Sequence, residues 1–171
     1  MSLWQRLFGG STRPETTGRE LVPEQRGGEM EEPAVPYSIE QRPMPEGEDP
    51  EILLPRQAGP YLRESIELPA NIRTNSVYAE YRFGRSSIFL ELGICDERSG
   101  ALKALSTAKR ETDAEFPDEP QVFFDREDPS FLRTVNRLGA FMAWTRGRYY
   151  FSAHAKGGEQ DLDRFMMAFP Y

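Results

Sequence analysis

Apolar and polar residues alternate from residue 77 to residue 94, with one interruption at Gly84-Arg85. This alternation is typical of two half-buried strands joined as a hairpin. A two-residue loop that begins with glycine suits a type II′ turn, which pairs Phe83 with Ser86. That register predicts one buried face, formed by Val77, Ala79, Tyr81, Ile88, Leu90 and Leu92.

A second hairpin is predicted over residues 140–155, with its two-residue loop at Arg146-Gly147. This loop pairs Trp144 with Tyr149 and places both side chains on the buried face. The opposite, outer face of the hairpin then carries Phe141, Tyr150, Ser152 and His154.

Five further segments show a recognisable pattern. Residues 61–68 and 131–137 are predicted strands, and residues 122–124 are a short apolar run whose type the pattern does not decide. Residues 101–112 and 159–169 are predicted amphipathic helices. The last helix has the expected apolar spacing at Leu162, Phe165, Met166 and Phe169.

This order of elements predicts an α+β fold with a single antiparallel sheet of about five to six strands, built from two hairpins. Both helices are expected to pack on one face of the sheet. The element order resembles that of PsbP-like single-sheet proteins, and the resemblance extends to element order alone.

Residues 11–51 are rich in proline and acidic side chains and show no apolar period. Residues 1–55 hold 5 arginines against 11 acidic residues, so most of the net charge of −7 lies in this first third of the chain. Such a segment buries too little surface to offset its ordering entropy. We therefore predict a disordered acidic linker over residues 11–51 and a folded domain over residues 52–171.

Residues 1–10 differ from this linker because four large apolar side chains occur there. Their spacing would place them on one face of a short helix, which predicts a docking segment for a protein groove. A shallow membrane contact stays open as an alternative, although one arginine is little basic charge for lipid headgroups. The four residues are Leu3, Trp4, Leu7 and Phe8.

Composition excludes several classes of function. The acidic balance, with 21 basic against 28 acidic residues, argues against nucleic acid as a partner. A single cysteine excludes a disulfide framework and a thiolate zinc site within one chain. No apolar stretch approaches the length of a spanning helix, and no signal peptide is recognised, so a cytoplasmic location is expected.

Candidate catalytic chemistry is sparse. His154 is the only histidine, and a Cys95–His154 pair would be the minimum for thiol chemistry. Two carboxylate pairs, Asp161 with Asp163 and Asp125 with Asp128, have the residue types for Mg²⁺ or acid–base work. Helix-dipole and turn roles explain both pairs equally well, and neither a metal nor a cofactor is predicted.

The outer sheet face is the strongest candidate for binding, because aromatic and charged side chains from both hairpins meet there. Its predicted partner-binding residues are Tyr78, Arg82, Phe89, Phe141, Tyr150 and His154. The sequence therefore predicts a non-enzymatic adaptor that binds a protein through this face and its apolar tip, and favours no oligomeric state. Two alternatives stay open: a small-molecule or lipid-binding module with a pocket lined by Tyr81, Trp144, Tyr149 and Met166, and a hydrolase-like enzyme that uses His154.

Overall fold

The computed structural model describes residues 36–68, 76–125 and 128–171. The helical elements are a 3-10 helix (Pro36–Gln41), α1 (Pro50–Leu53), α2 (Arg98–Glu115) and α3 (Glu159–Ala168). The strands are β1 (Gln57–Ala58), β2 (Tyr61–Glu67), β3 (Ser76–Phe83), β4 (Ser86–Ile94), β5 (Gln121–Phe124), β6 (Phe131–Asn136), β7 (Gly139–Arg146) and β8 (Tyr149–Ala155).

All the strand pairs are antiparallel, and the eight strands form one sheet in the order β1-β2-β3-β4-β8-β7-β6-β5. Two meanders of four strands therefore meet where β4 pairs with β8. The predicted α+β class with an antiparallel sheet is confirmed. The strand count is larger than predicted because β1 has only two residues and β5 only four, which is too short for a clear alternation.

The first hairpin has the predicted register, with Phe83 opposite Ser86 and Tyr81 opposite Ile88. The predicted register of the second hairpin is wrong: Trp144 lies opposite Phe151 rather than Tyr149. The loop is Gly147-Arg148, and Gly147 takes the left-handed conformation with φ of 55° at its first position. A slip of two residues keeps every side chain on its predicted face.

One face of the sheet packs against α3. Its buried side chains include Tyr81, Leu90, Trp144 and Phe151, which are all fully inaccessible to solvent. They meet Leu162, Phe165, Met166 and Phe169 in one core cluster, so this inward prediction is confirmed. Each fully buried large side chain of this kind contributes about 1.5–3 kcal/mol to folding.

Helix α2 packs on the opposite face, so the prediction that both helices share one face is wrong. Its principal contacts are with β7 and β8, and its buried stripe holds Ala101, Leu105, Ala108 and Thr112. The physical reason is visible in the two strands themselves. Nearly every residue of β7 and β8 is buried, which requires a cover on both faces.

The folded chain begins earlier than the predicted boundary at residue 52. Residues 36–54, the N-terminal strap, place Ile39, Leu53 and Leu54 in the core cluster. The buried Arg146 side chain donates hydrogen bonds to the carbonyl oxygens of Ile39 and Arg42. Arginine bonds to backbone carbonyls thus order a proline-rich segment that has little apolar pattern of its own.

Arg42 fastens the same strap to the end of α3. Its guanidinium donates to the carbonyl oxygens of Phe169 at 2.6 Å and Met166 at 2.5 Å. These carbonyls belong to the last turn of the helix, where intrahelical donors are lacking. The strap therefore also caps the C-terminal helix.

Candidate partner interface

Helix α2 divides the outer face of the sheet into a covered part and an open part. The helix contacts β7 and β8 most, and β4 and β6 less, so β2 and β3 extend beyond its main contacts. Three of the predicted partner-binding residues lie in the covered part and are buried: Phe141, Tyr150 and His154. They lie on the predicted outer face but are not exposed there, and α2 packs against β7 and β8, the strands that carry them.

His154 lies near the end of β8, opposite Phe89 on one side and Phe141 on the other. Its side chain is 1% exposed, and Nε2 donates a hydrogen bond to the Leu138 carbonyl oxygen at 3.1 Å. Burial lowers the pKa of His154 to about 4, against an ordinary value of 6.5. The imidazole is therefore neutral at pH 7.

The predicted Cys95–His154 pair is not brought together. Cys95 follows the end of β4, where its N–H bonds to the Arg148 carbonyl oxygen, whereas His154 pairs with Phe89. Cys95 lies six residue steps beyond Phe89 along the strand, which is about 20 Å. Burial and the neighbouring Asp96 also raise the pKa of the Cys95 thiol, so the reactive thiolate is disfavoured.

A polar cluster lies where the covered part meets the open part. The Glu91 carboxylate accepts hydrogen bonds from Tyr78 Oη at 3.2 Å and Ser152 Oγ at 3.4 Å. Burial raises the pKa of the Glu91 carboxyl, and the nearby Glu111 of α2 raises it further. The pKa of Tyr150 is also raised, first by burial and then by the charge of Glu91.

The open part holds the other three predicted residues together with Leu62 of β2. We name Leu62, Tyr78, Glu80, Arg82 and Phe89 the open outer face. Leu62 is 57% exposed and lies directly opposite Arg82. Tyr78 and Phe89 are half-buried, so this surface combines two aromatic rings, an exposed leucine and charged groups.

Ion pairs hold Arg82 in place on the open outer face. Its Nη2 lies 2.9 Å from Glu80 and its Nε 3.2 Å from Glu64. Across the neighbouring strand, Lys156 Nζ stands 4.9 Å from the centre of the Phe89 ring, within the range of a cation–π contact. The side chains of this surface are therefore partly preorganised.

The predicted small-molecule pocket is not seen at its four lining residues. Trp144 stacks on Phe151 with ring centres 5.2 Å apart, and Tyr81 packs against Phe165 at 5.1 Å. Trp144, Tyr81 and Met166 are fully buried and Tyr149 is 4% exposed. These side chains form close-packed core between the sheet and α3.

Both carboxylate pairs serve the fold. Asp163 accepts a hydrogen bond from Tyr37 Oη and pairs with Arg133 at 3.1 Å. Asp128 accepts from the Gly147 N–H at 3.2 Å, beside the second hairpin turn. Among residues 36–68, 76–125 and 128–171, no three acidic, histidine or cysteine side chains group as metal ligands.

Leu62 and Glu80 belong to the open outer face but were not among the predicted partner-binding residues, and Leu62 is the exposed apolar one. Its signal was present, because a strand that buries Tyr61 must turn its neighbour Leu62 to the other face. The predicted docking residues Leu3, Trp4, Leu7 and Phe8 lie outside the described residues. Over the described part of the chain, no helix is long and apolar enough to cross a membrane.

Comparison with known proteins gives one distant likeness. A GTP-binding regulator from Thermotoga maritima is similar with a TM-score of 0.48 and 14% sequence identity, over 73% of this chain and 88% of that chain. No protein-family model and no curated protein matches.

Proposed function

We propose that this protein is a non-enzymatic, cytoplasmic adaptor whose open outer face binds a protein partner. The observation that carries the proposal is the incomplete cover of this face: α2 packs on β7 and β8, where Phe141, Tyr150 and His154 are buried, and Leu62 and Arg82 on β2 and β3 stay exposed. Aromatic and arginine side chains are enriched at protein interfaces. Exposed apolar surface beside them is typical of a binding site.

Two features weigh against the enzyme alternative. His154, its proposed base, is 1% exposed and hydrogen-bonded to a backbone carbonyl. A general base needs access to the proton that it removes. The pocket-binding alternative is not favoured either, because its four lining residues are packed in the core.

A photo-crosslinking experiment in living cells tests the proposal. A photoreactive amino acid replaces Leu62 in one protein and Lys103, an exposed position of α2, in a matched control. We expect one discrete adduct with another protein from position 62 and none from position 103. Arg82→Ala should reduce the adduct, since it removes a charged anchor from the same surface.

Identical adducts from both positions would contradict the proposal, as would an adduct that does not respond to Arg82→Ala. The second predicted contact, the tip formed by Leu3, Trp4, Leu7 and Phe8, is tested in the same cells. If the tip adds effective concentration, removal of residues 1–10 should lower the yield of the position-62 adduct without changing the identity of the partner.

A further inference from the structure

Strand β2 has little cover on the side away from β3. Strand β1 pairs only with Tyr61 and Leu62, and Arg56 adds one backbone hydrogen bond, from the Arg63 N–H at 2.9 Å. In the part of the chain that the structure describes, no strand lies beside Ser65 and Ile66 on that side. Exposed strand edges of this kind can pair with another extended chain.

An open groove of about 310 Å³ follows this edge, lined by Arg56, Arg63, Glu64, Ser65 and Ile66. Pockets for small molecules are mostly apolar, whereas this lining is largely polar. A peptide main chain is itself a row of polar groups, so the groove suits an extended backbone. Leu68, which is 63% exposed, offers an apolar contact beyond the groove.

Charge in the groove selects the kind of peptide. Arg63 is already bound to Glu51 and to the Leu54 carbonyl oxygen, and Glu64 pairs with Arg82 at 3.2 Å. Arg56 is exposed, and no described acidic residue forms an ion pair with it. Its guanidinium is therefore available to a carboxylate.

We propose that an extended, acidic segment of a protein partner adds to the sheet beside Ser65 and Ile66, with one carboxylate on Arg56. The inference rests on the proposed function only in that the segment belongs to a partner protein. Main-chain hydrogen bonds would supply affinity, and Arg56 would supply preference for acidic sequences.

A bulge limits how long the added strand can be. The pairing of β2 with β3 shifts between Arg63 and Ser65, and a bulge of this kind bends and twists the strand. Bulges and charges on edge strands are the common devices that prevent indiscriminate pairing. The edge therefore suits a short segment of defined chemistry.

Three synthetic peptides, titrated into the full-length ¹⁵N-labelled protein, test this inference. The first is a blocked, extended peptide that alternates apolar residues with glutamate, the second replaces glutamate with lysine, and the third is the glutamate peptide with alternate amides N-methylated. We expect the first peptide to shift and protect the amides of Ser65 and Ile66. The lysine peptide and the methylated peptide should each bind at least about tenfold more weakly.

Two matched variants complete the experiment. Arg56→Glu should reverse the preference between the glutamate and lysine peptides, whereas Arg85→Glu, on the exposed loop between β3 and β4, should leave it unchanged. Equal binding of the methylated peptide, an unchanged preference in Arg56→Glu, or no binding of any peptide at millimolar concentration would each overturn the inference.

Two other occupants of the edge would also overturn it. Dimerisation that protects the same two amides without peptide would assign the edge to a second copy of the chain. If the Ser65 and Ile66 amides are protected without peptide, and this protection disappears when residues 1–35 are removed, the edge would be assigned to this chain's own N-terminal part. The position-62 crosslink is read separately, so loss of the adduct with intact peptide binding would count against the proposed function and not against the edge site.

Discussion

At the scale of single residues, the outer face of the sheet holds two buried ionisable groups whose pKa values shift in opposite directions. The Glu91 carboxyl and the His154 imidazole both lose hydration, which disfavours the charged form of each. For Glu91 this raises the pKa, and for His154 it lowers the pKa. The stability of the protein should therefore depend on pH at both ends of the range near neutrality.

Glu91→Gln should stabilise the protein at pH 7 by on the order of 1 kcal/mol. Because the folded-state pKa of Glu91 is raised, its stabilising contribution is present below the unfolded pKa and is lost as pH rises through the folded pKa. The glutamine can still accept a hydrogen bond from Tyr78 and donate one to Ser152. Urea unfolding at pH 4.5 and pH 7.5 measures the effect.

Glu115→Gln, at the exposed end of α2, is the matched control for charge. It should change stability little at either pH. A Glu91→Gln protein that is less stable than the natural chain at pH 7.5 would show that the carboxylate is compensated in the fold and that the predicted penalty is absent.

His154→Gln should remove an acid-sensitive loss of stability. Because the folded-state pKa of about 4 lies below the ordinary value of 6.5, the unfolded chain takes up the proton first. The stabilising contribution of the neutral imidazole is fully present above pH 6.5. It falls as the pH drops toward 4, which lowers the free energy of unfolding by up to about 3 kcal/mol. Glutamine keeps a donor for the Leu138 carbonyl oxygen and does not titrate.

The free energy of unfolding is measured for the natural chain and for His154→Gln at pH 7.5 and pH 4.5. The pH-dependent change is then compared between the two proteins, so any cost of the substitution that does not depend on pH cancels. The natural chain should lose more stability than His154→Gln between these two values. If the stabilities of the two proteins fall in parallel, the imidazole takes up its proton as readily in the folded state as in the unfolded state, which would contradict the prediction.

At the scale of elements, α2 controls which residues are available to a partner. It covers β7 and β8 and borders the open outer face at Glu91, where Glu111 of the helix approaches. A partner that contacts Tyr78 and Phe89 would therefore lie against the edge of α2. The N-terminal strap plays the corresponding role on the other face, where it caps α3 through Arg42.

Leu105→Ala should loosen the packing of α2 on β7 and β8. Leu105 is 1% exposed, and loss of a buried leucine side chain costs about 2–5 kcal/mol. Chemical denaturation measures the total cost, and amide hydrogen exchange should show faster exchange in α2 than in α3. Ser106→Ala, one exposed position along the same helix, should leave both measurements near those of the natural chain.

At the scale of the whole molecule, local patterns predicted much of the sheet and failed where the cause was distant. The loop at Gly84 fixed the first hairpin because a glycine has one clear place in a type II′ turn. The same preference, with glycine at the first loop position, gives Gly147-Arg148 as the second loop, so the second register was wrong because the prediction placed Gly147 second. The strap escaped prediction because Arg146, about a hundred residues later, supplies its hydrogen bonds.

The wrong prediction for the position of α2 also has a cause that the local pattern does not contain. Alternation along β7 and β8 identified the face that α3 covers but did not show that the remaining residues were also buried. Phe141 and Tyr150 read equally well as a binding surface or as a second core, and only the position of α2 separates the two. The open outer face was predicted in part because the alternation along β3 places charged side chains, Glu80 and Arg82, on that face.

The meeting of the two meanders at β4 and β8 has a consequence for synthesis. Every other strand pair joins neighbours in sequence, whereas β4 must wait for a partner that leaves the ribosome about sixty residues later. Until Tyr149–Ala155 emerges, the apolar surface of β4 lacks both its pairing strand and the α3 cover that follows. Nascent chains that stall before this point would present Leu90 and Leu92 to chaperones, so β8 and α3 decide whether the first half of the sheet is ever sealed.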